Sequence, residues 1–242
     1  MPNSYAVTAI AISTLIVLTV LRLLFVIGAT HNPQLKQRQR KKRDERSKLA
    51  IVLGSGGHTA EMLRLIQALD WQRYSSRVWI IQTTDKSSLT KAIEFESQHI
   101  HSGQFEIIKI PRARTVHQNY PTSILTTLKT FSMCVWYMTM KPILAKTKFA
   151  DVVLLNGPGS CVPIAVACFL PKLFNFNSSH LIYVESLART KRLSMTGKLI
   201  RPFVDRFFVQ WKSLRDSICQ TEQENEMRWR LKAPVECRGW LV

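Results

Sequence analysis

Hydrophobic residues follow two patterns along this chain. From Tyr5 to Ala29 they run almost unbroken, interrupted by scattered Ser and Thr and by a single charge, Arg22. From Leu49 onward they come in short bursts that alternate with segments of helical apolar spacing. The bursts Leu49 to Leu53, Arg77 to Thr83, Phe105 to Ile110, Asp151 to Leu155, Leu181 to Val184 and Arg206 to Val209 predict strands. Helices are predicted over Thr59 to Leu69, Ser87 to Gln98, Thr122 to Met140, Cys161 to Leu170 and Trp211 to Gln220, with breaks at Pro111, Pro121 and Pro171. Such alternation folds as a doubly wound, Rossmann-like α/β domain, a parallel sheet covered on both faces, and ligands of such sheets gather beyond the carboxyl ends of the strands.

As a helix, the N-terminal run reaches about 37 Å, enough to cross a bilayer, and Arg22 near its end can snorkel. A cleaved signal peptide is the competing reading, but no Lys or Arg precedes the run, which exceeds an ordinary signal core in length. Directly after it come Lys36, Arg38, Arg40, Lys41, Lys42, Arg43, Arg46 and Lys48, opposed by Asp44 and Glu45. The positive-inside rule then divides the chain into a non-cytosolic 1–4, a transmembrane anchor 5–29, a basic juxtamembrane linker 30–48 and a cytosolic domain 49–242. The apolar run Phe131 to Met140 is too short to span a second time, so it packs on the sheet or lies partly in the lipid interface.

Of the 242 residues, about 195 remain for the soluble part, room for one core. The net charge of +18 points to an anionic partner. Beside a membrane span the basic run suits an anionic leaflet better than nucleic acid. The five cysteines have no metal spacing and suit a reducing compartment.

The first burst runs into Gly54-Ser55-Gly56-Gly57-His58-Thr59 and then a helix, the layout of a phosphate-cradling loop. It lacks the Lys-Ser/Thr of a Walker loop. Thr59 departs from the dinucleotide fingerprint, although Asp85 could imitate its ribose-binding acid. The loop is read as holding an anion; a tight turn with no ligand is the alternative. A second loop, Asn156-Gly157-Pro158-Gly159-Ser160, again hands a strand to a helix, with Ser160 placed as N-cap. Two such loops at one sheet edge could hold the two phosphates of a diphosphate through backbone N–H groups, without a metal. Arg112 and Arg114, after the third strand, could reach one anionic group. Glu185, at the end of the fifth strand, could orient a sugar hydroxyl or act as general base, and His58 could transfer a proton, position a ligand or cap its helix.

The motifs Gly-Ser-Gly-Gly-His-Thr-Ala-Glu (54–61), Ile-Pro-Arg-Ala-Arg (110–114), Leu-Leu-Asn-Gly-Pro-Gly-Ser-Cys-Val-Pro (154–163), Tyr-Val-Glu-Ser (183–186) and Val-Gln-Trp (209–211) together resemble one family. Its members are membrane-anchor subunits of the eukaryotic transferase that adds the second GlcNAc to dolichol-diphosphate-GlcNAc in N-linked glycosylation. The resemblance covers Lys48 to Val242 and implies the N-terminal, acceptor-binding half of a GT-B glycosyltransferase, similar to that half of the bacterial peptidoglycan GlcNAc transferase. It implies that a soluble cytosolic subunit binds the donor UDP-GlcNAc, that the chain alone is inactive, and that transfer inverts the anomeric centre without cofactor or metal. The glycine loops would face the lipid diphosphate, His58 would sit beside the acceptor and Glu185 would line the cleft. The site would lie on the cytosolic face of the endoplasmic reticulum, with the N-terminus lumenal. The apolar tail Gly239 to Val242 is the expected contact with the donor-binding subunit, and the preceding GlcNAc-phosphotransferase of the pathway is a further candidate partner. Two alternatives stay open: an anchor that only recruits a catalytic protein, and a membrane-bound dinucleotide enzyme.

Overall fold

A computed structural model describes residues 4–32, 46–100, 103–112, 120–223 and 231–239. Seven strands occur among them: β1 (Lys48–Val52), β2 (Ser76–Gln82), β3 (Gln104–Ile110), β4 (Val152–Asn156), β5 (His180–Val184), β6 (Arg206–Val209) and β7 (Val235–Cys237). They form one parallel sheet in the order β3-β2-β1-β4-β5-β6-β7. Successive β1 side chains go to opposite faces, as the pleat requires. Leu49, Ile51 and Leu53 join Trp79 and Ile81 under α2 (Gly57–Gln67) and α3 (Lys86–His99). Ala50 and Val52 join Val78, Ile80, Val153 and Leu155 on the other face. That face is covered by α4 (Tyr120–Val135), α6 (Cys161–Leu173), α7 (Met195–Ile200) and α8 (Lys212–Gln223). Burial on both sides is why the inner strands read as continuous apolar runs, whereas the edge strand β3 is mostly exposed and carries Glu106 and Lys109. The short α7 and β7 were not expected; six and three residues are too few for a periodic signal.

Pro171, expected to break a helix, lies inside α6. Proline has no N–H, so the carbonyl of Ala167 loses its helical donor. The hydroxyl of Thr139 donates to that carbonyl at 2.6 Å. Thr139 sits in a π-helical turn, Trp136–Met140, which joins α4 to α5 (Lys141–Leu144). The Phe131 to Met140 run is therefore a packed helix on one side, with Cys134, Met138 and Thr139 buried and Trp136 exposed.

The N-terminal helix α1 (Ser4–His31) is long and apolar enough to cross a membrane, with a mean hydropathy of 2.6. Its last turns belong to the domain: Val26 and Ile27 enter the core, and His31 Nε2 lies 3.1 Å from the carbonyl oxygen of Pro202. Arg22, expected to snorkel toward a headgroup, instead donates through Nε to the carbonyl of Leu173 at 3.0 Å and through Nη2 to Asn175 Oδ1 at 2.6 Å. The C-terminal carbonyls of a helix attract a cation, and Leu173 ends α6. The helix runs two residues past the expected end of the anchor at residue 29, and most of the basic linker 30–48 lies outside the described residues.

Candidate functional site at the switch of the sheet

Strand order reverses between β1 and β4, which pair from Leu49↔Val152 to Ile51↔Leu154. The chain leaves β1 toward one face and β4 toward the other, so both glycine loops flank the crevice that opens where the directions diverge. In the first loop Gly54 is buried and Ser55, Gly56 and Gly57 are exposed; α2 begins at Gly57, two residues before the expected start. In the second loop Asn156 and Gly157 are buried and Gly159 is exposed.

The loops interlock through His58. A β-carbon on Gly157, whose φ is 87°, would fall 2.1 Å from His58 Nδ1, and one on Gly54 would fall 2.7 Å from the His58 Cβ. Only glycine at both places lets the imidazole sit between the loops. His58 Nδ1 lies 3.7 Å from Glu61 Oε2, an ion-pair distance rather than a hydrogen bond. The Glu61 carboxylate holds the imidazole above its ordinary range, burial opposes it, and the Asn156 side chain adds to the upward pull. Burial pushes the Glu61 carboxyl up, but His58 and the Leu187 N–H draw it net below its ordinary value. Asn156 donates through Nδ2 to the Val184 carbonyl at 3.2 Å, while its Oδ1, like His58 Nδ1, is shut off from solvent without a hydrogen bond.

Glu61 was not among the expected site residues, although it stands three residues after His58 and so on the same helical face. Its Oε1 accepts from the Leu187 N–H and from Gln210 Nε2 at 2.9 Å. Gln210 also donates to the Glu185 carbonyl at 3.2 Å, and Trp211 Nε1 donates to the Leu187 carbonyl at 2.7 Å. The Gln-Trp pair after β6 thus ties the loop after β5 to α2. Between them lies a cavity of about 700 Å³ lined by Gly57, His58, Glu61, Arg64, Leu187 and Trp211. Exposed Arg189, Lys191 and Arg192 on the same loop keep its surroundings positive.

The other expected residues are distributed differently. Glu185 is fully buried: Oε1 accepts from Tyr183 and the Ser186 N–H, and Oε2 accepts from the N–H and hydroxyl of Ser194 at 3.0 Å each. The buried Thr59 hydroxyl closes its own loop by donating to the Gly54 carbonyl, and it meets Ser88 Oγ at 2.6 Å. Ser160 makes no side-chain cap, contrary to expectation, because its backbone is already helical (φ −64°, ψ −18°); its Oγ instead accepts from Gln82 Nε2 at 3.1 Å. Gln82 in turn accepts from Arg112 Nε at 2.8 Å, linking the arginine to the second glycine loop. Arg114 lies outside the described residues. Asp85 spends its carboxylate on the N–H and hydroxyl of Ser88 as the cap of α3, which removes the acid that the dinucleotide reading needed.

An open parallel sheet with two glycine loops at its switch point defines the class: a Rossmann-like, GT-B-type half domain. A Listeria monocytogenes structure assigned to a UDP-N-acetylglucosamine 2-epimerase aligns with a TM-score of 0.51 and 15% identity over 74% of this chain and 43% of that one. MurG of Acinetobacter baumannii aligns with a TM-score of 0.47 and 15% identity over 69% of this chain and 42% of that one. The chain therefore spans less than half the length of these structures. Residues 49–225 match the family model "Oligosaccharide biosynthesis protein Alg14 like", and the chain belongs to the Alg14 family. It is 42% identical to the UDP-N-acetylglucosamine transferase subunit ALG14 of Candida albicans, over 87% of this chain and 91% of that protein. The ALG14 subunits of Schizosaccharomyces pombe and Homo sapiens are 39% and 37% identical, over 88% and 69% of this chain and 93% and 77% of those proteins.

Proposed function

We propose that this chain is the acceptor-binding and membrane-anchoring subunit of a split UDP-GlcNAc transferase that acts on dolichol-diphosphate-GlcNAc at the cytosolic face of the endoplasmic reticulum. The observation that carries the reading is the meeting of both glycine loops on one imidazole, which Glu61 holds at the mouth of a cavity with positive surroundings. Such a site suits an anion flanked by a sugar. The names of the relatives as transferase subunits, and an alignment that covers 43% of a longer α/β structure, support a donor half supplied by another chain. A soluble subunit supplies that half with UDP-GlcNAc, and the N-terminus of α1 lies in the lumen.

In this reading the 4-hydroxyl of the acceptor GlcNAc attacks the anomeric carbon of UDP-GlcNAc with inversion, and UDP leaves. The exposed backbone of Ser55, Gly56, Gly57 and Gly159 faces the lipid diphosphate. Arg112, held through Gln82 to Ser160, adds charge at the same edge. A protonated His58 donates to the diphosphate, and a neutral one accepts the hydroxyl proton. Glu185, enclosed by four donors, orders the loop that walls the cavity.

The test is GlcNAc transfer from UDP-GlcNAc to a lipid-diphosphate-GlcNAc acceptor, with the full chain alone and then with a cytosolic partner subunit. Activity is expected only in the mixture, and His58→Ala is expected to abolish it while the two subunits still co-purify. A chain that merely recruits a catalytic protein retains full transfer in His58→Ala, and that result overturns the site.

A further inference from the structure

The exposed part of α1 ends at a defined place. Residues 5–21 are all exposed, whereas from Arg22 onward the helix is half-buried or buried against the domain, apart from Leu24 and Phe25. From Ser4 to Leu21 the helix rises about 27 Å, close to the ~30 Å thickness of a bilayer's hydrocarbon core. The domain, with its polar backbone loops, cannot enter that core. If α1 crosses a bilayer, the membrane surface therefore meets it within about one turn of Arg22.

The guanidinium of Arg22 grips the Leu173 carbonyl and the Asn175 side chain. The residues interleaved with them, Phe174 and Phe176, are 65% and 50% exposed, and Asn175 between them turns the backbone with a φ of 57°. Phenyl rings left in water are unfavourable, whereas interfacial segments bury Phe, like Trp and Leu, at the boundary between headgroups and acyl chains. The neighbouring cation, Lys172, is neutralised by Asp205 at 2.7 Å, so the loop brings no unpaired ammonium of its own to that surface.

We propose that the loop Phe174–Phe176 seats both phenyl rings in the interfacial layer of the bilayer that α1 crosses. The domain is then held at two adjacent points, by the helix and by the aromatic loop clamped to it through Arg22. The contact needs no transferase chemistry; it rests only on α1 spanning a bilayer.

The experiment places the photo-crosslinking residue p-benzoylphenylalanine at Phe174, Phe176, Ile10 or Ile93 of the full chain. The protein is reconstituted in phosphatidylcholine vesicles with radiolabelled acyl chains. Positions 174 and 176 are exposed, so the probe leaves the core unchanged. Ile10 reports the exposed length of α1, and Ile93, on α3, reports the far face of the sheet. Lipid adducts at 174 and 176 are expected at a yield on the order of that at 10, with loss of adduct at 93. Adducts at 10 without any at 174 and 176, or protein adducts there in place of lipid, overturn the inference. Loss at all four positions overturns it together with the anchoring of α1.

Discussion

Gly157 and His58 are packed so closely that the ring nitrogen Nδ1 occupies the space a β-carbon on Gly157 would need, 2.1 Å away. One loop has given up a side chain so that the other can place one. Gly157→Ala is accordingly expected to fail twice. The φ of 87° costs an alanine about 1–3 kcal/mol of stability, and displacing the imidazole lowers transfer about 10²-fold in the assembled enzyme. Gly159→Ala, with nothing within 4 Å of its would-be β-carbon, is expected to keep the melting temperature of the parent. Thermal melts and transfer assays on both variants check this.

Glu61→Gln is expected to lower the His58 pKa, readable by NMR titration of the imidazole. His58 has a raised folded pKa, so its contribution to stability is full below 6.5 and fades as pH climbs through the raised value. Glu61 has a lowered one, so its contribution is present above 4.5 and fades as pH falls through the lowered value. The stability difference between parent and Glu61→Gln is expected to be largest between those two values and to shrink on either side. A difference independent of pH contradicts the pairing.

Thr139→Val leaves the Ala167 carbonyl buried without a donor and is expected to cost about 1–3 kcal/mol by urea denaturation. Pro171→Ala restores a backbone N–H at the position that can serve that carbonyl. The double variant should recover part of the loss, giving a coupling well outside additivity.

Arg77 and Glu96 form a pair 2% and 5% exposed, with Arg77 Nε and Nη2 each 2.8 Å from a Glu96 oxygen and Trp79 Nε1 donating at 2.6 Å. Glu96→Ala strands the guanidinium and is expected to destabilise the domain by about 3–5 kcal/mol. Arg77→Met together with Glu96→Leu should cost markedly less, since the penalty lies in the unpaired charge. Chemical denaturation of the three variants decides.

Much of this was legible in the order of residues. The strands from Leu49 to Val209 announced themselves because the inner strands of a parallel sheet are buried on both faces, and the two glycine loops because a tight strand-to-helix turn favours glycine. Partnerships that cross the fold were not legible. Glu185 reads as a strand-end carboxylate, and nothing in its neighbourhood in the sequence announces that Ser194 and Tyr183 enclose it. Pro171 read as a stop because its missing N–H is local, whereas the hydroxyl of Thr139 that compensates it is 28 positions away from the Ala167 carbonyl it serves. Glu61 carried a usable signal, its spacing from His58, but its tie to Gln210 spans 149 positions and had none.

The docking of Arg22 on the end of α6 removes the slack usually granted to a tethered domain. Because α1 is one uninterrupted helix from its exposed length to its seat against the end of α6, it works as a shaft rather than a leash. The rotation of the glycine loops relative to the exposed length of α1 is then set by helical phase. A single residue inserted before Arg22 would turn the domain by about 100° relative to that exposed length, and a further three would leave it about 40° from its starting setting.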